Sequence, residues 1–316
     1  MKAFITGVDG QDGSFLAEFL LDKGYEVCGL IRKGVNPSLN IEHLKDKVKM
    51  YYGDMATENQ LCVAVNQLKP DEIYNLAGQS DVATSFDIPE YTGDVTGLGV
   101  TRLLEAIRVF SPNSKLYQAS SSEMFGNANP PQSETTPFRA RSPYGAAKIY
   151  AHNMAVCYRE AYNLFACCGI LFNHESERRG LNFVTRKITN AVARIYLKKQ
   201  DTLELGNLDA RRDWGYAPDY VRAMWLMLQQ GEPDDYVVGT GKSHTVKEFV
   251  EAAFSYVGLK WEDHVKINPK FVRPSDVNYL LAAPNKVGRH LGWEPEVGFE
   301  VLVQKMVDYD IKQESA

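Results

Sequence analysis

Lys2-Ala3-Phe4-Ile5-Thr6-Gly7-Val8-Asp9-Gly10-Gln11-Asp12-Gly13 opens the chain and decides its fold. Ala3–Thr6 is a short apolar run of the kind that forms a core strand. Three glycines follow at three-residue spacing. Beyond them Leu16, Phe19 and Leu20 form an i, i+3, i+4 apolar stripe, with Glu18 and Asp22 on other faces. A strand, a glycine turn and an amphipathic helix, in that order, aim backbone N–H groups at one point. A pyrophosphate can approach that point closely. Gly7, Gly10, Gln11, Asp12 and Gly13 are therefore expected to bind a dinucleotide. The spacing is G-x-x-G-x-x-G rather than G-x-G-x-x-G.

The same alternation continues outward. Strands are predicted at Glu26–Ile31, Val48–Tyr52, Glu72–Leu76, Lys115–Ser120 and Phe165–Phe172. Helices are predicted near Ser14–Lys23, Glu58–Leu68, Asp94–Phe110 and Tyr144–Tyr162. Continuous apolar strands alternating with helices predict an α/β fold: a Rossmann-type doubly wound parallel sheet, covered on both faces. The second half is less regular. Helices are expected near Phe183–Leu197, Asp219–Leu228, Val246–Val257 and Phe299–Asp310. Short strands near Leu203–Leu205 and Tyr236–Val238 are candidates to return to the sheet. The expected division is a cofactor domain over 1–172, to which part of about 203–240 returns, and a smaller, discontinuous substrate domain over 173–316.

A chain of 316 residues can bury a large core. Its net charge of −5 gives no global attraction to nucleic acid or to an anionic membrane. The longest strongly apolar run, Phe165 to Phe172, is far too short to span a bilayer. The first residues read as a core strand and not as a signal peptide. Cys28, Cys62, Cys157, Cys167 and Cys168 show no C-x-x-C spacing, which favours buried, reduced thiols in a cytoplasmic protein and no metal site.

Cofactor choice is read at the end of the second strand. Gly29-Leu30-Ile31-Arg32-Lys33 carries no acid there. A guanidinium at Arg32 suits the 2′-phosphate of NADP, and no carboxylate repels it. Asp54, beside Met55 after the third strand, can accept from an adenine amino group. Leu76, Ala77, Gln79 and Ser80 end the fourth strand with the small and polar residues of a cofactor-lining loop.

Tyr144-Gly-Ala-Ala-Lys148 places a phenol and an ammonium on one helix face. An ammonium beside a phenol favours the phenolate, so Tyr144 is a candidate acid or base. Ser121 and Glu123 lie two apart at a strand end, where extended backbone points both to one side. Such a hydroxyl can polarise a C4 oxygen, and such a carboxylate can remove a proton next to a carbonyl. Ser120 and Ser122 compete for the hydroxyl role. Downstream, Asn173-His174-Glu175-Ser176-Glu177-Arg178-Arg179-Gly180 is followed by Asn182, Arg186 and Lys187. Asp209-Ala210-Arg211-Arg212-Asp213-Trp214 and Arg273-Pro274 come later. These basic groups are candidates to hold a nucleotide diphosphate. The His174–Arg179 cluster has no second His at ligand spacing for a metal.

Gly7–Gly13, Tyr74–Ser80 (Y-N-L-A-G-Q-S), Ala119–Gly126 (A-S-S-S-E-M-F-G), Arg141–Lys148 (R-S-P-Y-G-A-A-K), Leu171–Arg179 and Leu205–Gly215 together resemble the GDP-mannose 4,6-dehydratases. These belong to the extended short-chain dehydrogenase/reductase superfamily. The resemblance runs from the first strand to the C-terminal helix. It implies a lyase with tightly held NADP, a GDP-sugar substrate and a homotetramer. In it Tyr144 deprotonates O4, Lys148 sets the Tyr144 pKa and holds the ribose, and Glu123 removes the C5 proton. His174 and Arg179 contact cofactor, and Tyr91 joins the cofactor set. Asn173, Asn182, Lys187, Arg212 and Arg273 contact the GDP-sugar, together with Ser80, Ser121 and Glu123. The chain departs from the family at Ser121, where Thr is usual, at Glu177, where Pro is usual, and at Arg32-Lys33-Gly34-Val35, where Arg-Arg-Ser-Ser is usual. The Glu123–Tyr144 loop is one residue shorter. The alternatives are a dehydratase of another GDP-sugar such as a GDP-manno-heptose, a 4-epimerase or 4-reductase, and a non-catalytic NADP-binding sensor.

Overall fold

In the computed structural model, residues 1–32, 39–271, 275 and 277–315 are described. The strands, in chain order, are β1 Lys2–Thr6, β2 Glu26–Ile31, β3 Lys49–Tyr52, β4 Glu72–Asn75, β5 Lys115–Ser121, β6 Ala166–Leu171, β7 Asn173–Glu175, β8 Leu203–Leu205, β9 Arg211–Arg212, β10 Trp214–Tyr216, β11 Asp235–Val238, β12 His244–Thr245 and β13 Val265–Ile267. Seven of them form a parallel sheet in the order β11-β6-β5-β4-β1-β2-β3. The order reverses between β1 and β4, so a crevice opens there at the carboxyl ends of the strands.

Alternation along each strand feeds two cores. Ala3, Ile5, Val27 and Tyr74 face the helices Gln11–Asp22 and Ala217–Leu228. Phe4, Cys28 and Ile73 face Glu58–Leu68, Gly99–Phe110 and Pro143–Tyr162. Both faces are dry, which is why the strands read as unbroken apolar runs. The Gly99–Phe110 helix is preceded by a π-helical stretch, Gly93–Leu98, inside the predicted Asp94–Phe110 helix.

Of the two candidate returning strands, Tyr236–Val238 joins the sheet beside β6. Leu203–Leu205 does not: β8 pairs with β13 in the second lobe. Its Leu203 and Leu205 side chains belong to that lobe's own core, with Ile188, Val192, Phe249, Leu302 and Met306. The helices Val184–Tyr196, Val246–Tyr256 and Phe299–Ser315 build that core.

A buried polar chain finishes the sheet's carboxyl edge. Thr6 Oγ1 donates to Asn75 Oδ1 at 2.6 Å, and Asn75 Nδ2 donates to Gln118 Oε1 at 2.8 Å. Thr6 Oγ1 also accepts from the amides of Leu76 and Ala77, both at 3.2 Å. Three adjacent strand ends thereby fix the loop that begins at Leu76.

Candidate active site

The glycine turn closes on itself before the first helix. A Cβ at Gly13 would lie 2.3 Å from the Gly7 carbonyl oxygen and 2.7 Å from Val8 Cα, so no larger residue fits this turn. Gln11 braces it: Nε2 donates to Asp12 Oδ1 and to the His174 carbonyl, both at 3.0 Å, while Oε1 accepts from Ser176 Oγ at 2.9 Å. Asp12 Oδ2 sits 2.8 Å from His174 Nε2, and His174 Nδ1 is 2.7 Å from the Phe172 carbonyl. Burial opposes both charges, but each partner supports the other. The Asp12 carboxyl is held below its ordinary range and the His174 imidazole above its own.

The second wall comes from β5 and the helix Pro143–Tyr162. Ser142 caps that helix by accepting from the Gly145 amide at 3.1 Å, and Pro143 starts its first turn. A Cβ at Gly145 would lie 2.8 Å from the Glu123 carbonyl oxygen, so the missing side chain lets the helix rest on the Glu123 backbone. Ser121 and Glu123 reach the same cavity, though not by strand alternation. The strand ends at Ser121, and Ser122–Met124 form a 3-10 turn in which the Glu123 amide donates to Ser121 Oγ at 3.2 Å. Ser121 hydrogen-bonds to the Tyr144 phenol, whereas Ser120 Oγ lies 3.0 Å from His152 Nδ1.

Lys148 Nζ donates to the Ala119 carbonyl at 2.8 Å and lies over the Tyr144 ring, 5.8 Å from its centre. Burial pushes the ammonium down to about 8. Burial likewise drives the Tyr144 phenol up to about 12, with the Glu123 charge adding to the rise and the Ser121 hydrogen bond opposing it.

These walls enclose one cavity of about 1150 Å³ between the sheet edge and the second lobe. That exceeds the roughly 300–1,000 Å³ of an ordinary single-ligand pocket. Of the expected cofactor residues, Gly7, Gly10, Gln11, Asp12, Gly13, Arg32, Asp54, Met55, Leu76, Ala77, Ser80, Tyr91, Lys148, His174 and Arg179 line it. Gln79 is not among the lining residues. Its amide N–H donates to Thr96 Oγ1 at 3.0 Å, and its side chain donates to the Asp81 carbonyl at 3.0 Å. Arg32 Nη1 donates to the Tyr91 hydroxyl at 2.7 Å, joining two expected cofactor residues far apart in sequence. Arg179 Nε stands 3.1 Å from Glu175 Oε2 but out of line for a hydrogen bond, so that buried N–H has no hydrogen-bond partner. Asn173 Oδ1 is also buried without one.

Asn173, Asn182, Lys187 and Arg212 line the same space; Arg273 lies outside the described residues. Arg186 turns away. It pairs in the second-lobe interior with Asp310, at 2.6 and 3.2 Å, and Thr189 Oγ1 completes the Asp310 contacts at 2.6 Å. Arg178 is likewise structural, donating to Glu18 Oε1 at 2.6 Å and stacking on Phe15. The sequence reading missed Asp81, whose Oδ2 accepts from Asn182 Nδ2 at 2.7 Å, and Phe271, whose ring lies 3.4 Å from Lys187 Nζ. Neither sits in a motif that carries chemistry.

All five cysteines are free; Cys28, Cys167 and Cys168 are buried, but Cys157 is exposed, against expectation. His152, Cys168 and Asp235 bring ligand-type atoms within 4.8 Å of one another. Arg159 already takes both Asp235 oxygens, at 2.9 and 3.0 Å, and its guanidinium opposes a cation there.

The family model for GDP-mannose 4,6 dehydratase matches residues 4–306. GDP-mannose 4,6 dehydratase 1 of Arabidopsis thaliana is 56% identical over 323 residues, 98% of this chain and 90% of its own. GDP-mannose 4,6 dehydratase of Homo sapiens is 50% identical over 339 residues, 98% of this chain and 91% of its own. Among solved structures, UDP-glucose 4-epimerase of Thermus thermophilus, in complex with NAD, superposes with a TM-score of 0.86 at 28% identity, over 98% of this chain and 99% of that one.

The burial of Lys148 gives a direct test of this geometry. Its ammonium should lose its proton near pH 8, charged below and neutral above, while exposed lysines titrate near their ordinary 10.5. NMR of isotopically labelled lysine side chains, with Lys148→Arg identifying the resonance, reads this. A Lys148 midpoint at or above 10 would contradict the site as described.

Proposed function

The chain belongs to the GDP-mannose 4,6-dehydratase family, and the dehydration of GDP-mannose is its reaction; we propose that it runs on NADP through the residues gathered at the sheet's carboxyl edge. The observation that carries this reading is the meeting of Ser121, Glu123, Tyr144 and Lys148 with the glycine turn in one cavity. A 4-epimerase or 4-reductase has no use for a carboxylate aimed at C5, so Glu123 favours elimination. A non-catalytic sensor needs none of the four.

The residues fit the cofactor. The turn that admits no Cβ at Gly13 presents amides at the start of a twelve-residue helix, where a pyrophosphate is stabilised. The Arg32–Tyr91 pair offers a guanidinium for a 2′-phosphate, and Arg179 brings a buried N–H without a hydrogen-bond partner. The division of labour follows: residues 1–172, with β11, His174 and Arg179, hold NADP, and the rest of 173–316 supplies most of the GDP-sugar contacts. Ser80, Asn173, Asn182, Lys187 and Arg212 make those contacts, as does Arg273 by family resemblance.

When bound, the cofactor would supply a hydride acceptor for C4 and a hydride donor for C6, held by the glycine turn, Arg32, Lys148, His174 and Arg179. The protein handles the protons. Tyr144 takes the O4 proton as the C4–H bond breaks, and the Ser121 hydroxyl steadies the developing C4 ketone. That ketone acidifies the C5 proton, which Glu123 removes. The C6–O bond then breaks, and the hydroxyl leaves as water with the proton that Glu123 took from C5. C5 then regains the proton that Tyr144 took from O4, so both residues return to their starting state. Lys148, tied to the Ala119 carbonyl, holds the ribose beside Tyr144. Other GDP-sugars, including a GDP-manno-heptose, remain a second substrate reading that no observed contact favours.

Assembly is the remaining element of the proposal. A tetramer of D2 symmetry needs at least two different interfaces. Leu98, Val109, Tyr150 and Tyr162 are exposed on or beside two neighbouring helices, and Leu39 is exposed in the 3-10 segment between β2 and β3. We propose a homotetramer working in the cytoplasm.

Four measurements check this account. GDP-[4-²H]mannose should give product carrying deuterium at C6, and Glu123→Gln should slow product formation by about 10²–10⁴-fold, as loss of a general base does. Deuterium released from the sugar, or a wild-type rate in the variant, would defeat the mechanism. Arg32→Ala should weaken NADP by about 1.5–3 kcal/mol, the scale of a charged hydrogen bond, and leave NAD affinity nearly unchanged. Equal losses for both would remove Arg32 from 2′-phosphate recognition. Light scattering at micromolar protein should return the tetramer mass; a monomer would refute that assembly.

A further inference from the structure

The helix that carries Tyr144 and Lys148 has a third polar residue on the same stripe. His152 follows Lys148 at i+4, so it lies one turn below on the face that meets the sheet. It is buried. Nδ1 lies 3.0 Å from Ser120 Oγ and Nε2 lies 3.7 Å from Asp235 Oδ2. Asp235 is clamped by both terminal nitrogens of Arg159, which also donates to the Ala166 carbonyl at 3.0 Å. The helix is therefore fastened to the sheet at three successive levels. Lys148 reaches Ala119, His152 reaches Ser120, and Arg159 reaches β6 and β11.

We propose that His152 is a positioning residue for the dehydration, setting the reach of Tyr144 relative to Ser121 and Glu123 through its bond to Ser120. The Asp235 carboxylate favours the proton on Nε2, so Nδ1 accepts from the Ser120 hydroxyl. Ser120 directly precedes Ser121 at the strand end, and Ser121 meets the Tyr144 phenol. Fixing the backbone at Ser120 through His152 thus fixes where Ser121 presents its hydroxyl to Tyr144. The ring is packed as well as bonded: Phe138 meets it edge-on at 5.1 Å. A helix free to slide by a fraction of a turn would keep its apolar contacts but lose the alignment of phenol, hydroxyl and carboxylate. Misplacement of about 1 Å at a reacting centre costs on the order of 10²-fold in rate.

The inference rests on the roles proposed for Tyr144, Ser121 and Glu123, and the test separates the two. Steady-state kinetics on GDP-mannose, with Tm for each variant, would compare His152→Leu, His152→Asn, Ser120→Ala and the Ser120→Ala/His152→Leu pair, with Tyr144→Phe as reference. The expected result is a kcat loss of roughly 10–100-fold in His152→Leu and Ser120→Ala. KM should stay within about twofold, since binding is not what a positioning residue supplies. His152→Asn, whose amide can stand where Nδ1 stands, should recover most of kcat. The double variant should be no slower than either single one, because both remove the same bond. If His152→Leu does not fold, Ser120→Ala carries the test, since it removes only a hydroxyl. Unchanged kcat in Ser120→Ala, losses that multiply in the double variant, or failure of His152→Asn to recover rate at wild-type Tm would each overturn the proposal. Full activity in Tyr144→Phe would instead overturn the underlying mechanism and leave the His152 network without a task.

Discussion

The burial of Lys148 is the constraint around which the site is arranged. An ammonium carried out of water loses charge unless something nearby is worth keeping it for. Here one backbone carbonyl, Ala119, accepts from it at 2.8 Å, and burial still brings the group down to about 8. Because Ala119 lies in the strand and Lys148 in the helix, the bond that satisfies the charge also joins the two elements that carry Ser121, Glu123 and Tyr144. The electrostatic need and the geometric one are met by the same contact.

Tyr144 shows the other side of that burial. Its phenol is pushed up to about 12, with the Ser121 hydroxyl pulling against burial and against the Glu123 charge. Only the phenolate can accept a proton, and the Ser121 hydroxyl favours that form, opposing the rise that burial causes.

The second lobe sorts its basic groups by the same physics. Arg186 and Asp310 are buried together, with Thr189 completing the carboxylate's partners, and they tie the helix Val184–Tyr196 to Phe299–Ser315. Asp213 is buried and accepts from the Thr240 and Gly241 amides at 2.8 and 2.9 Å and from Ala282 at 3.2 Å. It gathers three distant segments behind Arg212. A buried ion left without its partner is costly, so such pairs specify one packing of the lobe. Lys187 and Arg212, by contrast, face the cavity.

The sequence alone determined the parallel sheet, the helix layers and the glycine turn. These follow from periodicity and turn chemistry, which act over a few residues. It also marked Tyr144, Lys148, Ser121 and Glu123 as chemically apt, because each lies in a short local pattern, and the family was legible from several such patterns together. Only the tertiary structure decided which basic residues serve the cavity, since Arg186 and Lys187 are neighbours in sequence but face opposite ways on their helix. It turned Gln79 aside, kept β8 in the second lobe and brought Arg32 to Tyr91 and Asp81 to Asn182. Burial and long-range pairing set these outcomes, and both depend on how elements far apart in the chain come to rest against one another.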